Sequence, residues 1–271
     1  MYPNFVKFNH QTKPKTILNF NQIFTISHFL GSGGYSQIFK IVDKKSKTPY
    51  ALKVLKNIDQ QTMNEVNILI ELEKHPSIYN QVVHYHDHFV YQGKYCILMQ
   101  YLEGQDAYVF YNNKSFDYQS FMTFSLWLFN IIDLLHHINI IHRDIKPNNI
   151  MVTKDGYKLI DFGLSCQLDK CQYINALTPA FAAPEIWNKQ VVKNLSIYKA
   201  SDVYAAGVTI YTMITHGHLP YDKIGTYVPI VHFNQIQNNA VNALMKHLID
   251  KNYQTRYTAS KAYDVLKTFN I

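Results

Sequence analysis

Ile141-His142-Arg143-Asp144-Ile145-Lys146-Pro147-Asn148-Asn149 crowds His, Arg, Asp, Lys and Asn between an apolar helical pattern and an apolar strand, Ile150-Met151-Val152. Polar side chains this dense beside a core are costly unless they bond or act. After the next strand-like stretch, Tyr157-Lys158-Leu159-Ile160, comes Asp161-Phe162-Gly163. Phosphoryl transfer needs a divalent metal on the transferring phosphates, a carboxylate to orient the attacking hydroxyl, and a cation near the charge. Asn149 and Asp161 are hard oxygen ligands suited to Mg²⁺. Asp144 and Lys146 supply the orienting base and the cation.

Working outward to the N-terminal side, Leu30-Gly31-Ser32-Gly33-Gly34-Tyr35-Ser36-Gln37-Ile38 joins two strand patterns, FTISHFLG and SQIFKIVDKK. Glycines let a backbone approach a phosphate and aim N–H groups at it. The strand–loop–strand context excludes both the dinucleotide fingerprint and the P-loop, which open helices. The next strand carries Tyr50-Ala51-Leu52-Lys53, a lysine amid apolar residues that needs a partner if it faces inward. Glu65 lies on a helical pattern over 61–74, whose apolar stripe is Met63, Val66, Leu69, Ile70 and Leu72, with Pro76 marking a stop. VVHYHDHFV and YCILMQYL read as two further strands. Beyond Gly104 the character turns helical, with a long amphipathic helix over 116–138.

The chain has 271 residues, 47% hydrophobic and 17% charged, which suits a globular protein and argues against sustained disorder. Its net charge of +7 is scattered rather than blocked, so solvated lysines are favoured over a nucleic-acid surface. The start MYPNFVKFNHQTKPK lacks a secretory h-region, and no stretch reaches membrane-spanning length; 203–215 reads as a buried core helix. Three cysteines, an odd number, argue against a disulfide framework and for a reducing compartment. The expectation is an intracellular protein of cytoplasm or nucleus, with no nucleic-acid or membrane partner.

From 24 to 269 the chain resembles the eukaryotic-type protein kinase family. The resemblance rests on the Gly-rich loop, Ala-Leu-Lys, His-Arg-Asp with its Asn, Asp-Phe-Gly, Ala183-Pro184-Glu185, and Ser201-Asp202 with Gly207, in family order and spacing. It implies an α+β, bilobal protein-kinase fold, with a small β-rich N-lobe and a larger α-helical C-lobe. The domain reading is an N-terminal extension over 1–23 and a kinase domain over 24–271, divided into lobes 24–100 and 101–271. It further implies that Lys53 contacts the α/β-phosphates and pairs with Glu65, that Asp144 is the catalytic base, and that Lys146 steadies the γ-phosphoryl. Asn149 and Asp161 would hold Mg²⁺ (or Mn²⁺). Gly31, Ser32, Gly33, Gly34, Tyr35 and Ser36 would cover the phosphates of ATP. Leu30, Ile38, Ala51 and Met151 would sandwich the adenine. Met99 matches the gatekeeper, Gln100-Tyr101-Leu102 the hinge, and Asp106 the ribose contact. Leu69, Tyr85, His142 and Phe162 match the stacked spine. Glu185 is expected to pair with Arg256, and Asp202 to brace the catalytic loop. Lys146 and Thr178 match the serine/threonine branch, whose partners are protein substrates; a monomeric catalytic domain is expected.

Departures from the family pattern are Ser36 at the third glycine, Leu177 before Thr178, and Phe181 before Ala-Pro-Glu. They bear on the substrate pocket rather than on the chemistry. Arg143 places the chain among kinases often switched by a phosphate in the activation segment. Here the customary threonine position is Ile174, with Tyr173 beside it and Asp169 available as a permanent acid partner. Activity without Ser/Thr phosphorylation of that segment is therefore expected. Asn148 stands where arginine-directed kinases have Glu, so a strong preference for basic substrates is not expected. The region between Tyr221 and Arg256 is shorter than the family's usual length.

His84, His86 and His88 alternate and could line one face as zinc ligands do, but a plain structural strand is the favoured reading. Cys166 and Cys171 could form a redox pair; without evidence of close approach they read as ordinary thiols. The rival function is a pseudokinase scaffold, which usually lacks the strand Lys, the catalytic Asp or the metal Asp, all present here. A small-molecule kinase would lack Lys146, Thr178 and Ala-Pro-Glu. Composition leaves open whether residues 1–22 cover the small lobe.

Overall fold

The computed structural model describes residues 14–56, 60–114, 116–171, 178–187, 195–221 and 238–269. The chain divides into two compact units on either side of the Glu103–Gly104 bond. The first is β-rich and the second is mainly helical, so the α+β class holds.

In the first unit, β1 (Lys15–Thr16), α1 (Phe20–Ile23), β2 (Phe24–Ser32), β3 (Ser36–Asp43) and β4 (Pro49–Leu55) precede α2 (Gln60–Leu72) and α3 (Pro76–Tyr79). β5 (Tyr85–Tyr91) and β6 (Lys94–Gln100) complete a six-stranded sheet in the order β1-β5-β6-β4-β3-β2. β1 runs parallel to β5, and the other pairings are antiparallel. The β5–β6 turn sets Gln92 at φ 49° and Gly93 at φ 71°, the doubly left-handed pair that a tight hairpin matched to strand twist requires. One sheet face closes over Phe20, Phe24, Ile41, Leu52, Phe89, Cys96 and Leu98.

Residues 14–23, the described part of the stretch before Phe24, pack against the sheet of this unit. β1 adds to the sheet edge, and Phe20 is 1% exposed, its ring stacked on Tyr91 at 4.6 Å. Burying such a ring contributes about 2–3 kcal/mol, so this segment is part of the core. The helix expected over 61–74 forms as α2, with Val66, Leu69 and Leu72 buried. Pro76 does more than stop it: it opens α3 at the first-turn position, where its missing N–H is harmless.

The second unit starts with β7 (Gly104–Asp106) and α4 (Ala107–Asn112), then α5 (Tyr118–His137) and β8 (Ile140–Ile141). A 3₁₀ turn (Pro147–Asn149) leads to β9 (Ile150–Thr153), β10 (Gly156–Leu159) and β11 (Cys166–Gln167). α6 (Pro184–Trp187), α7 (Leu195–Ile214), α8 (Asn239–Leu248) and α9 (Ala259–Lys267) follow. β7, β9 and β10 form one small sheet, and β8 pairs with β11.

α5 starts where Asp117 accepts a hydrogen bond from Ser120 N at 2.8 Å, satisfying a donor the helix leaves orphaned. Its Phe124, Leu128, Phe129, Ile131, Ile132 and Leu135 are fully enclosed. α7 contributes Val203, Tyr204, Ala206, Val208, Ile210 and Tyr211 to the unit's core. Gly207 is required there: a Cβ would sit 2.7 Å from Ile249 Cγ2 and 2.9 Å from Leu248 Cβ. Gly104 is required too, since a Cβ would overlap the Val152 carbonyl across the β7–β9 pair. No described helix is long and apolar enough to cross a membrane.

Candidate active site

In the first unit, β2 and β3 carry the Gly-rich turn. Gly33 N donates to Ser36 O at 2.9 Å, and Tyr35 stands 62% exposed at its tip. Gly31, Gly33 and Gly34 keep ordinary φ angles, and a Cβ at any of them meets nothing within 4 Å. The fold itself therefore does not demand glycine there, which leaves close approach by something outside the turn as the reason for it. Lys56, one strand over, donates from Nζ to Gly34 O at 3.0 Å and Gly33 O at 3.3 Å. Its backbone N also donates to Tyr35 O at 3.0 Å. The sequence reading missed Lys56, because only the β3–β4 register places it under the turn.

Lys53 and Glu65 meet as the sequence implies: Nζ donates to Oε1 at 2.6 Å, with both side chains more than nine-tenths buried. The β3–β4 register sets Ile38 opposite Lys53, and the β4–β6 register sets Ala51 opposite Met99. Met99 is buried, whereas Leu30 is 42% exposed. Gln100 donates its N–H to His84 O at 2.8 Å. Lys40 lies over the Tyr101 ring at 4.1 Å. Leu69 and Tyr85 are buried in this unit.

The three histidines of β5 and its approach do not converge. His84 stacks on Tyr79, His86 meets Tyr50 edge-on, and His88 is within 2.5 Å of the Tyr85 hydroxyl. A register shift between Tyr85 and Asp87 breaks the alternation that a shared face requires. Among the described residues, no group of three His, Cys, Asp or Glu side chains could hold a metal.

In the second unit the quoted loop hangs from one buried carboxylate. Asp202 is 1% exposed; it accepts from His142 N at 2.9 Å and Arg143 N at 2.8 Å, with His136 Nε2 at 3.1 Å. Bonds to a charged acceptor contribute about 1.5–3 kcal/mol each, enough to hold Arg143 at φ 66°. His142 is completely buried, and desolvation pushes its pKa down, so the ring is neutral. Its Nε2 donates to Ile160 O at 3.2 Å and its Nδ1 accepts from Asp144 N at 3.3 Å, which fixes the tautomer. The ring also packs edge-on against Phe162 at 4.9 Å. Burial likewise lowers the Arg143 guanidinium, whose Nε donates to Leu164 O at 2.5 Å.

Asp144 is the hub. Thr178 Oγ1 donates to its Oδ1 at 2.6 Å, while Lys146 Nζ and Asn149 Nδ2 donate to its Oδ2 at 2.7 and 2.8 Å. Lys146 Nζ also reaches Thr178 Oγ1 at 2.8 Å, and Asn149 Nδ2 reaches the Asp144 carbonyl at 2.8 Å. With its NH₂ turned to Asp144, Asn149 has its carbonyl oxygen as the atom for a metal. Ile160 N donates to Asn149 O at 2.9 Å, tying the start of Asp-Phe-Gly to the same loop. Asp161 is exposed at φ 60°, with Oδ1 accepting from Gly163 N at 3.3 Å. Two protein oxygens, with phosphates and water completing the shell, are what Mg²⁺ accepts, so the donor set fits. Met151 is half-buried on β9. Asp106 caps α4, accepting from Val109 N at 2.9 Å.

Glu185 and Arg256 form a buried bidentate pair, 2.6 and 3.0 Å, with Arg256 also donating to Asp250 O and Ala200 O. Asp169 lies exposed on a 3₁₀ turn (Leu168–Lys170). One expectation is corrected. Cys166 and Cys171 are not ordinary thiols but a disulfide, because that turn folds back and brings their Cα atoms to 5.2 Å. Cys96 is a buried free thiol, raised to about 11 by desolvation. Tyr173, Ile174 and Leu177 lie outside the described residues.

Residues 24–266 match the protein kinase domain family. The chain is similar to the serine/threonine-protein kinase Nek11 of Homo sapiens, at 27% identity over 92% of this chain and 40% of that protein. It is also similar to the putative ribosomal protein S6 kinase alpha-1 of Caenorhabditis elegans, at 30% over 87% of this chain and 31% of that one. CBL-interacting protein kinase 5 of Oryza sativa subsp. japonica is 26% identical over 88% of this chain and 54% of its own length. The chain thus spans about a third to a half of the length of these relatives. It belongs to the protein kinase family, and these matched relatives are kinases.

Proposed function

We propose that the chain is an active serine/threonine kinase that moves the γ-phosphoryl of ATP to a protein hydroxyl. The observation that carries this reading is the closed set Thr178–Asp144–Lys146–Asn149, with donor–acceptor distances of 2.6 to 2.8 Å. Three donors fix the Asp144 carboxylate, so the substrate hydroxyl meets a positioned acceptor rather than a rotating one. The substrate oxygen attacks the γ-phosphorus in line, its proton passes to Asp144, and ADP leaves. Lys146 lies beside the transferring group and offsets the charge spread over its oxygens. Lys53, held by Glu65, takes the α/β-phosphates, and the Gly-rich turn offers its N–H groups to the same anion. Asn149 and Asp161 would hold Mg²⁺, which when bound neutralises phosphate charge.

The test is transfer from γ-labelled ATP to generic acceptor proteins, with phosphoamino-acid analysis, beside an Asp161→Ala variant. Label on Ser or Thr that disappears in the variant supports the proposal. Binding of nucleotide with no transfer favours the scaffold reading.

A further inference from the structure

The Cys166–Cys171 bridge lies between the two segments on which that reading depends, Asp161-Phe162-Gly163 and Thr178. We propose that it is a redox modification site: bonded, it holds the start of the activation segment in place, and thiol–disulfide exchange at Cys171 releases it. The effect on phosphoryl transfer rests on the kinase reading above.

The backbone holds this region lightly. Cys166 and Gln167 pair with Ile141 and Ile140 in a two-residue ladder, and Leu168 N donates to Asn139 O at 2.7 Å. Ladders so short are marginal without other support. The bridge encloses the 3₁₀ turn Leu168–Lys170 and extends the anchorage to Cys171, at a sequence separation of 5. Its inner end is bound to the catalytic loop: Ser165 Oγ donates to His142 O at 3.1 Å, and Cys166 is 3% exposed beside it. Its outer end, Cys171, is only half-buried and follows exposed Lys170. The sulfur open to attack is therefore that of Cys171. Cys96, enclosed in the other unit with its thiol raised to about 11, takes no part.

The exchange balances with a small thiol such as glutathione as reductant. A glutathione thiolate bonds to Cys171 Sγ, the Cys166–Cys171 bond breaks, and Cys166 leaves as a thiolate that takes a proton. A second glutathione thiolate then attacks the glutathione sulfur of the mixed disulfide, and Cys171 leaves as a thiolate that is protonated in turn. Two thiols are oxidised to one disulfide while the protein disulfide is reduced, a two-electron exchange. Oxidised glutathione drives the reverse.

The full chain is poised at graded ratios of reduced to oxidised glutathione. Three quantities are read: alkylation mass, tryptic cleavage after Lys170, and transfer of γ-label to a generic acceptor. Opening a bridge that closes so short a loop should raise cleavage roughly tenfold or more, as the open population grows. Transfer should fall about threefold or more along the same curve. Trapped mixed disulfide should sit on Cys171, and Cys171→Ser should match the reduced chain at every ratio, its melting temperature reporting that it folds. The proposal is overturned if both thiols alkylate without reductant, if glutathione sits on Cys166, or if cleavage is the same in both states. If cleavage responds and transfer is present but constant, control of activity falls. If cleavage responds and transfer is absent in both states, the kinase reading falls and the hold on the segment stands.

Discussion

Thr178 Oγ1 donates to Asp144 Oδ1 at 2.6 Å and lies 2.8 Å from Lys146 Nζ, bridging a separation of 34 residues in the chain. A single hydroxyl thus joins a distant segment to both Asp144 and Lys146.

Thr178→Val removes this donor while keeping the shape. Transfer should fall about 10- to 100-fold in kcat, as expected when a hydrogen bond that orients a base is lost. Thr178→Ser should restore most of it. Steady-state kinetics on both variants decide this; an unchanged kcat in the valine variant would show that the bond is structural only.

Lys53 and Glu65 are buried together, so removing one takes an opposite charge at 2.6 Å away from the other. Glu65→Leu should cost about 3–5 kcal/mol in urea unfolding, more than half of which Lys53→Met/Glu65→Leu should recover. The double variant should still transfer no phosphate. A stable single variant would show that the remaining charge finds water or another partner.

Gly33→Ala should leave the melting temperature nearly unchanged, since a Cβ there meets nothing within 4 Å. The KM for ATP should rise roughly fivefold or more, because the methyl group would stand between the turn and the phosphates. Lys56→Ala should raise it more modestly by loosening the carbonyls of Gly33 and Gly34. A large stability loss in Gly33→Ala with no change in KM would contradict this account of the turn.

Acid should destabilise the first unit through His86, whose pKa burial lowers to about 4. The unfolded chain takes up a proton near pH 6.5 that the folded one refuses, so stability falls as pH drops from about 6.5 towards 4. Fully buried His142, also lowered, acts in the same direction in the second unit. For His86 the loss is of order 1–3 kcal/mol, discounted for partial exposure. Urea titrations from pH 7 to 4.5 should show it, and His86→Phe should flatten the curve. Equal slopes in both proteins would assign the loss to other groups.

The quoted loop, Asp-Phe-Gly and the Lys53 strand were legible in sequence because charged residues beside apolar runs announce their cost. Glu185 with Arg256 was legible only through the resemblance: nothing local predicts a pair 71 residues apart. Lys56 and Phe20 were not legible, since each depends on what the fold sets beside it; Cys166 and Cys171 were readable as a candidate pair, but their closure depends on the turn between them. Asp106 had a local signal, an Asp directly before a helical pattern, which marks a helix cap.

The most direct test compares Asp144→Asn with the parent chain for Mg²⁺-dependent ATP binding and for transfer of γ-label to serine or threonine. The account predicts transfer by the parent, a loss of at least about a hundredfold in the variant, and nucleotide affinity within about threefold. ATP binding by both with transfer by neither, or transfer that survives the substitution, would contradict it.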